Sequence, residues 1–316
     1  MKFLESEIVQ GKEREDNCRF HVIPAPMESS VSYGGGTAAG PKAILEASDQ
    51  LEAWDNSQSV AVIRESGIYT TPAIYCKSDP ETILGQIEDA VTRALLLNAI
   101  PVVLGGEHTV TLGALRALKK HLIQPSCANQ TESPHNQAAP FGIIQIDAHA
   151  DLRDTYQGSR LSHACVMRRA VDDLCIPLFQ IGVRAISREE VIFRQKNNIC
   201  FIDAQELYFK GLSAPSPCFT GRFATLSDEI VPADFPQKIY ITLDVDGLDP
   251  SVIRATGTPV PGGLGWYDTM MILEKIISRR EVIGFDVVEL APIKGDHASD
   301  FAAAQLAYSV MGMVSI

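Results

Sequence analysis

The chain has 316 residues, 46% of them hydrophobic and 21% charged, a size and composition normal for one α/β domain. Its formal charge of −12 argues against nucleic acid or an anionic membrane as partner and favours the approach of a small cation. The opening MKFLESEIVQGKERED is too polar for a secretory leader, and the most apolar run, 94–104, is too short to span a bilayer and is broken by Asn98 and Pro101. The seven cysteines form no CxxC pair, which points to reduced thiols and a cytoplasmic location.

In chain order, the first apolar run, 20–23, reads as a buried strand. A helix is predicted over 80–98: Asp79 suits the N-cap, Pro80 the first helical position, and Ile83, Ile87, Val91, Ala94 and Leu95 recur at helical spacing. A strand follows at 101–104. The polar stretch 124–140, QPSCANQTESPHNQAAP, reads as a surface insertion in which His135 carries no chemistry. Further strands are predicted at 142–146, 178–183, 199–202, 239–245 and 282–288, with helical patterns at 265–280 and 300–313. Strands alternating with helices imply a parallel sheet covered on both faces, and no internal repeat divides residues 1–316, which read as a single domain.

Three segments at the C-terminal ends of predicted strands carry candidate chemistry, and that edge is where open parallel sheets bind ligands. They are Gly105-Gly106-Glu107-His108, Asp147-Ala148-His149-Ala150-Asp151 and Asp244-Val245-Asp246. In an extended chain, residues two apart share a side, so Asp147, His149 and Asp151 can converge, as can Asp244 and Asp246. Buried carboxylates at apolar strand ends resist ionisation unless paired. Two divalent cations would balance the four aspartates, with His108 and His149 adding one imidazole each. A donor set rich in oxygen and free of sulfur favours Mn²⁺ over structural Zn²⁺, with Fe²⁺, Co²⁺ or Ni²⁺ as alternatives. Asp249, before Pro250, reads as a turn residue. The glycines at 34–36 and 105–106 lack the spacing of phosphate-binding loops.

Taken together, GGEHTVTLG (105–113), DAHADLRD (147–154), SHAC (162–165), DVDGLDPS (244–251), TGTPVPGG (256–263), FDVVELAP (285–292) and SYGGGTAAGPKAI (32–44) resemble the ureohydrolase family of arginases and agmatinases over nearly the whole chain. One departure is Glu107, where the family often has aspartate. The resemblance implies a three-layer α/β/α sandwich with a central, mainly parallel eight-stranded sheet, a homotrimer or homohexamer, and a pair of Mn²⁺ ions. By the same resemblance, His108, Asp147, His149, Asp151, Asp244 and Asp246 are the metal ligands, with Asp147 and Asp244 bridging. His163 matches the proton-transfer histidine and Glu289 the carboxylate that holds a guanidinium. The chemistry implied is attack of metal-activated water on the guanidinium carbon, with Asp151 or His163 protonating the leaving amine to give urea. Cys165, two residues after His163, is then not a nucleophile.

Arginases read the α-carboxylate and α-amine of arginine with an Asn-rich loop and an acidic segment. Here Arg153 stands in the first, and 182–187 lacks the aspartates of the second, which disfavours arginine. The stretch DLRDTYQGSRLSHACVMRR resembles agmatinases, so agmatine is the expected substrate, giving urea and putrescine. Asp154, Glu189 or Glu190 could meet its distal ammonium. Aminopropylagmatine, guanidinobutyrate and guanidine remain alternatives; a carboxylate tail would call for a cation such as Arg153 or Arg160. A non-enzymatic regulator on the same fold and a metal-dependent deacetylase are the readings from other classes, disfavoured by the complete ligand set and Glu289.

Overall fold

Short apolar runs form eight strands: β1 Phe20–Ala25, β2 Ile68–Thr70, β3 Ile100–Gly105, β4 Gly142–Ile146, β5 Leu178–Ile181, β6 Cys200–Ile202, β7 Lys238–Asp244 and β8 Glu281–Val288. In the computed structural model, which describes residues 1–8, 13–55, 57–123, 139–212 and 230–315, they pair in the order β2-β1-β3-β8-β7-β4-β5-β6. Every described pair is parallel, so the sheet is more uniform than the mainly parallel one expected. Strand β2, at the sheet edge, is the one absent from the sequence reading. Its three residues are too few to show a period.

Helices cover both faces: α1 Gly40–Ser48, α2 Val62–Glu65, α3 Pro80–Leu96, α4 Thr111–Leu122, α5 Val166–Asp172, α6 Arg188–Lys196, α7 Ala204–Leu212, α8 Trp266–Ile277 and α9 His297–Ser315. Side chains alternate across each strand, so the sheet feeds two separate cores. Val102, Leu104, Ile144, Ile146, Ile241 and Leu243 pack with apolar residues of α1, α8 and α9. Val103, Ile143, Tyr240 and Val288 pack with those of α3, α4 and α5 on the opposite face. The result is the α/β/α sandwich. Helix α3 starts as its sequence dictates, with Asp79 accepting a hydrogen bond from the Thr82 amide and Pro80 at the first position.

Residues 124–138 lie outside the described residues, and with them nearly all of the expected insertion, His135 included. No helix among the described residues is long and apolar enough to cross a membrane. The described cysteines, Cys18, Cys76, Cys165, Cys175 and Cys200, form no disulfide with one another.

Candidate metal centre

Four neighbouring strands, β3, β8, β7 and β4, occupy the middle of the sheet. Their C-terminal ends deliver His108, Glu289, Asp244 with Asp246, and Asp147 with His149 and Asp151. This is the point where the chain, after β3, leaves room for β8 and β7 before resuming with β4, the kind of crevice that binds ligands in open α/β sheets.

The six expected ligands come together, but not by strand alternation. Strand β4 ends at Ile146 and β7 at Asp244, and the backbone turns there. Asp147 Oδ1 accepts the His149 amide at 2.6 Å, and Asp244 Oδ1 accepts the Asp246 amide at 2.9 Å. Side chains capping their own backbone two residues on, not an extended period of two, therefore set the direction of each group. Asp151 lies in left-handed backbone with φ of 52°, and Glu289 with φ of 66°. Such strain costs about 1–3 kcal/mol per non-glycine residue and collects at functional positions. Here it is held in place: the Asp151 carbonyl accepts the amides of Met167 and Arg168, and the Glu289 amide donates to Gly106 O at 2.8 Å. Gly106 has to be glycine, because a Cβ there would fall 2.0 Å from the Met27 carbonyl oxygen.

Two groups of side chains could each hold a cation: His108, Asp147 and Asp151, and Asp147, His149 and Asp246. Asp147 is common to both. His108 Nδ1 lies 3.0 Å from Asp151, 3.2 Å from Asp147 and 3.3 Å from Asp244. His149 Nδ1 lies 3.0 Å from Asp246 and 3.7 Å from Asp147. Asp244 thus approaches the first group and meets the second only through the Asp246 amide. All of these side chains except His149 are buried.

The donor set fits a pair of divalent cations. His108 Nδ1 is buried and makes no hydrogen bond, although three carboxylates face it. Its tautomer explains this. Thr242 donates its hydroxyl proton to Asp286 at 2.7 Å, so the 2.8 Å contact between Thr242 Oγ1 and His108 Nε2 requires the proton on Nε2. In the neutral ring a lone pair at Nδ1 then points at carboxylate oxygens, an arrangement that a cation between them, proton or metal, makes favourable. Burial, followed by the Asp147 charge, pushes Asp151 up to about 7. Burial and then the Asp246 charge raise Asp244 well above the carboxylate range. Burial alone would lower both histidines, but the facing carboxylates win, raising His108 well above its usual range and His149 to about 12. Carboxylates that resist ionisation and imidazoles that attract protons are what a site built for positive charge produces.

A buried polar row supports the centre from beneath, and sequence reasoning missed it. The register aligns Gln180 of β5, Gln145 of β4, Thr242 of β7 and Asp286 of β8. Gln145 donates to Asp147 at 2.6 Å. Asp286 collects the hydroxyls of Thr111, Tyr240 and Thr242. The signal was available: polar residues interrupt the apolar runs FGIIQI, IYITLD and GFDVV just before Asp147, Asp244 and Glu289. Arg184 was read only as lacking arginase aspartates, yet its guanidinium binds the carbonyls of Gly182, Asp246, Gly247, Leu248 and Val260. It thereby fixes the turn that carries Asp246. Asp249 plays the expected turn role, accepting the amides of Ser251, Gly262 and Gly263.

Above the aspartates opens a cavity of about 310 Å³, lined in part by Asp151, Asp244, Asp246, His149, His163 and Glu289. Glu289 is 8% exposed, and its Oε1 accepts the His108 amide at 2.7 Å, while Oε2 has no hydrogen-bond partner among the described residues. Burial raises Glu289 to about 8, so a cation in the cavity would favour its charged form. His163 stands edge-on to Tyr156, with ring centres 5.6 Å apart, and burial holds its pKa below the usual imidazole value. Arg153 lines the same cavity, its guanidinium 5.5 Å from the Tyr156 ring centre.

The acidic residues expected to meet a distal ammonium are placed otherwise. Asp154 binds Arg169 at 2.6 Å and does not line the cavity. Glu190 lines it, but its oxygens accept the amides of Leu152 and Ser187, the latter closing a capping box at the start of α6. The Ser-x-x-Glu spacing at 187–190 was the sequence signal for that role. Glu189 is exposed on α6, and Arg160 pairs with Asp173 at 3.3 Å. Cys165 is buried, and burial pushes its thiol up to about 12, which disfavours the thiolate.

Comparison with known proteins agrees with this geometry. The model of the arginase family matches residues 18–312. The chain is 34% identical over 316 residues to the N(1)-aminopropylagmatine ureohydrolase of Synechocystis sp., covering 98% of this chain and 93% of that protein. It is 29% identical over 305 residues to the agmatinase of Pyrococcus horikoshii, covering 92% and 90%. The crystal structure of the agmatine ureohydrolase of Thermoplasma volcanium superposes with a TM-score of 0.79 at 26% identity, covering 100% of this chain and 94% of that one.

Proposed function

The chain belongs to the arginase family, and on that footing we propose that it hydrolyses the guanidinium group of a small amine-tailed guanidine, agmatine above all, to urea and putrescine. The observation that carries this reading is the position of Asp147, shared by two His-carboxylate groups beneath a cavity that also exposes Glu289. A bound pair of divalent cations supplies Lewis acidity and lowers the pKa of water toward neutrality. The candidate ligands are His108, Asp147, His149, Asp151, Asp244 and Asp246, and the oxygen-rich set supports Mn²⁺, with Ni²⁺, Co²⁺ or Fe²⁺ as alternatives.

The chain's own residues do the rest. Glu289 offers Oε2 to the planar guanidinium while Oε1 stays anchored on His108, which orients the carbon over the cluster. His163, kept neutral by burial, can accept a proton in the cavity and return it to the departing amine, a role Asp151 could share. The same reading carries a homotrimer or homohexamer and a cytoplasmic location.

Two observations support other tails. The name of the Synechocystis relative favours N1-aminopropylagmatine, a longer amine of the same kind. Arg153 in the cavity wall favours a carboxylate tail such as that of guanidinobutyrate. Urea release from agmatine, N1-aminopropylagmatine, guanidinobutyrate, guanidine and arginine, after loading with Mn²⁺ or Ni²⁺, ranks them. Agmatine or its aminopropyl form should lead and arginine trail. Absence of urea from every compound, with two ions bound per chain, would refute the proposal.

A further inference from the structure

We propose that Ser30 and Glu107 are positioning residues for His163, holding its ring as the Nδ1–H tautomer and leaving Nε2 as the free basic nitrogen. This rests on the reading of His163 as the proton-transfer group, and the test below separates the two. Glu107 follows β3 and is fully buried. Its Oε2 accepts the amides of Ser29 at 2.7 Å and Ser30 at 2.6 Å. Its Oε1 accepts the hydroxyls of Ser29 at 3.1 Å and Ser30 at 3.0 Å. Ser30 Oγ in turn accepts the backbone amide of His163 at 3.0 Å and lies 3.1 Å from His163 Nδ1.

A proton count fixes the direction of this chain. A serine hydroxyl has one proton and two acceptor lone pairs, whereas a carboxylate can only accept. Ser30 has three partners, so all three positions are used. Its proton goes to Glu107, whose carboxyl oxygens already accept the amides of Ser29 and Ser30 and so face Ser30 as acceptors. The lone pairs remain for the His163 amide and for Nδ1, which must then carry hydrogen. The reverse arrangement, with Ser30 donating to Nδ1, would leave the Ser30 and Glu107 oxygens 3.0 Å apart in a buried site with no proton from Ser30 between them. One hydroxyl thus holds both the backbone and the ring of His163, and the chosen tautomer places the lone pair on Nε2. His163 Nε2 has no hydrogen-bond partner among the described residues, and the ring lines the cavity. Burial keeps the ring in its neutral form, consistent with a nitrogen free to take a proton.

The same contacts tie the proton-transfer group to the cavity rim. Ser30 lies in the segment that continues through Val31, Ser32 and Tyr33, all of which line the cavity. Anchoring Ser29 and Ser30 on Glu107 therefore sets the rim and the histidine together.

The test uses the full chain with Ser30→Ala, Ser30→Thr, His163→Gln and the double variant Ser30→Ala/His163→Gln. Imidazole ¹⁵N shifts of the metal-free protein, with the His163 signals assigned by their loss in His163→Gln, read the tautomer directly. The wild type should show Nδ1–H, Ser30→Ala should shift toward the other tautomer, and Ser30→Thr should restore it. With metals loaded, Ser30→Ala should lower kcat about tenfold, the scale of one lost hydrogen bond to a reacting group, with KM and bound metal unchanged. The double variant should be no slower than His163→Gln alone. A wild-type spectrum showing Nε2–H, or an unchanged tautomer in Ser30→Ala, would overturn the proposal. If His163→Gln keeps full kcat, the proton-transfer reading fails instead, while the spectra still decide the positioning.

Discussion

Glu289 Oε1 accepts the backbone amide of His108 at 2.7 Å, so the carboxylate assigned to the substrate and the residue whose imidazole is assigned to metal are tied together across the ends of β8 and β3. Glutamine at 289 keeps an oxygen for that amide but loses the charge. Glu289→Gln should therefore bind the full metal complement, yet lose roughly tenfold to a few hundredfold in kcat/KM, since charged hydrogen bonds are worth about 1.5–3 kcal/mol each. Glu289→Ala should in addition loosen the metal near His108. Titration of bound metal beside steady-state urea release separates the effects, and near-normal turnover in Glu289→Gln would mean that the guanidinium is held elsewhere.

Asp147 is the one residue common to both candidate cation groups. Asp147→Asn should leave fewer than one ion per chain by elemental analysis, whereas His149→Ala, which touches only the second group, should leave about one, following the dependence of each site on its own ligands. Equal losses in the two variants would remove Asp147 from its shared position.

Arg184 binds five carbonyls around the Asp246 turn. Lysine retains the charge but not the planar fork that reaches them all. Arg184→Lys should cost about 1–3 kcal/mol of stability in urea unfolding, the scale of leaving buried acceptors unpaired. It should also weaken the ion near Asp246 more than the one near His108. Unchanged stability and metal content would show that the turn holds itself.

His21 in β1 is buried, its ring bonded at Nε2 to the Glu15 carbonyl, and burial lowers its pKa. The unfolded chain takes up its proton near about 6.5, the folded chain only at lower pH. Folding stability from this group is therefore complete above about 6.5 and falls as pH drops from there toward the folded value. Metal-free His21→Gln should show a shallower loss of stability between pH 7 and pH 5 than the metal-free wild type. An identical slope would exclude His21 as a source of acid sensitivity.

Strand ends, helix α3 and the gathering of the six candidate ligands were legible because each rests on local chemistry: apolar runs, a proline after an aspartate, and clustered acids and histidines. What was hidden depends on the fold. The alternation argument brought Asp147, His149 and Asp151 to one point, whereas turns begin where β4 ends and divide His149 and Asp151 between two groups that share Asp147. Asp154 looked available in DLRD until Arg169, fifteen residues on in the chain, was brought against it. Ser30 stands among small residues with nothing local to mark it, and only the meeting of its loop with Glu107 and His163 gives it a part.

The row formed by Gln180, Gln145, Thr242 and Asp286 also bears on how the chain finds its sheet. In a strand, a slip of one residue turns every side chain to the other face. If β4 slipped by one residue against β5 and β7, Gln145 would enter the largely apolar layer beside α8 and α9, its amide cut off from Gln180. A stranded buried amide costs about 1–3 kcal/mol, and the same penalty would recur at each strand of the row. Parallel strands joined by long crossovers have many nearly equivalent offsets to try. The side chains that steady the candidate metal ligands therefore also act as an index for strand alignment, so a misaligned sheet is penalised before any ion or substrate is present.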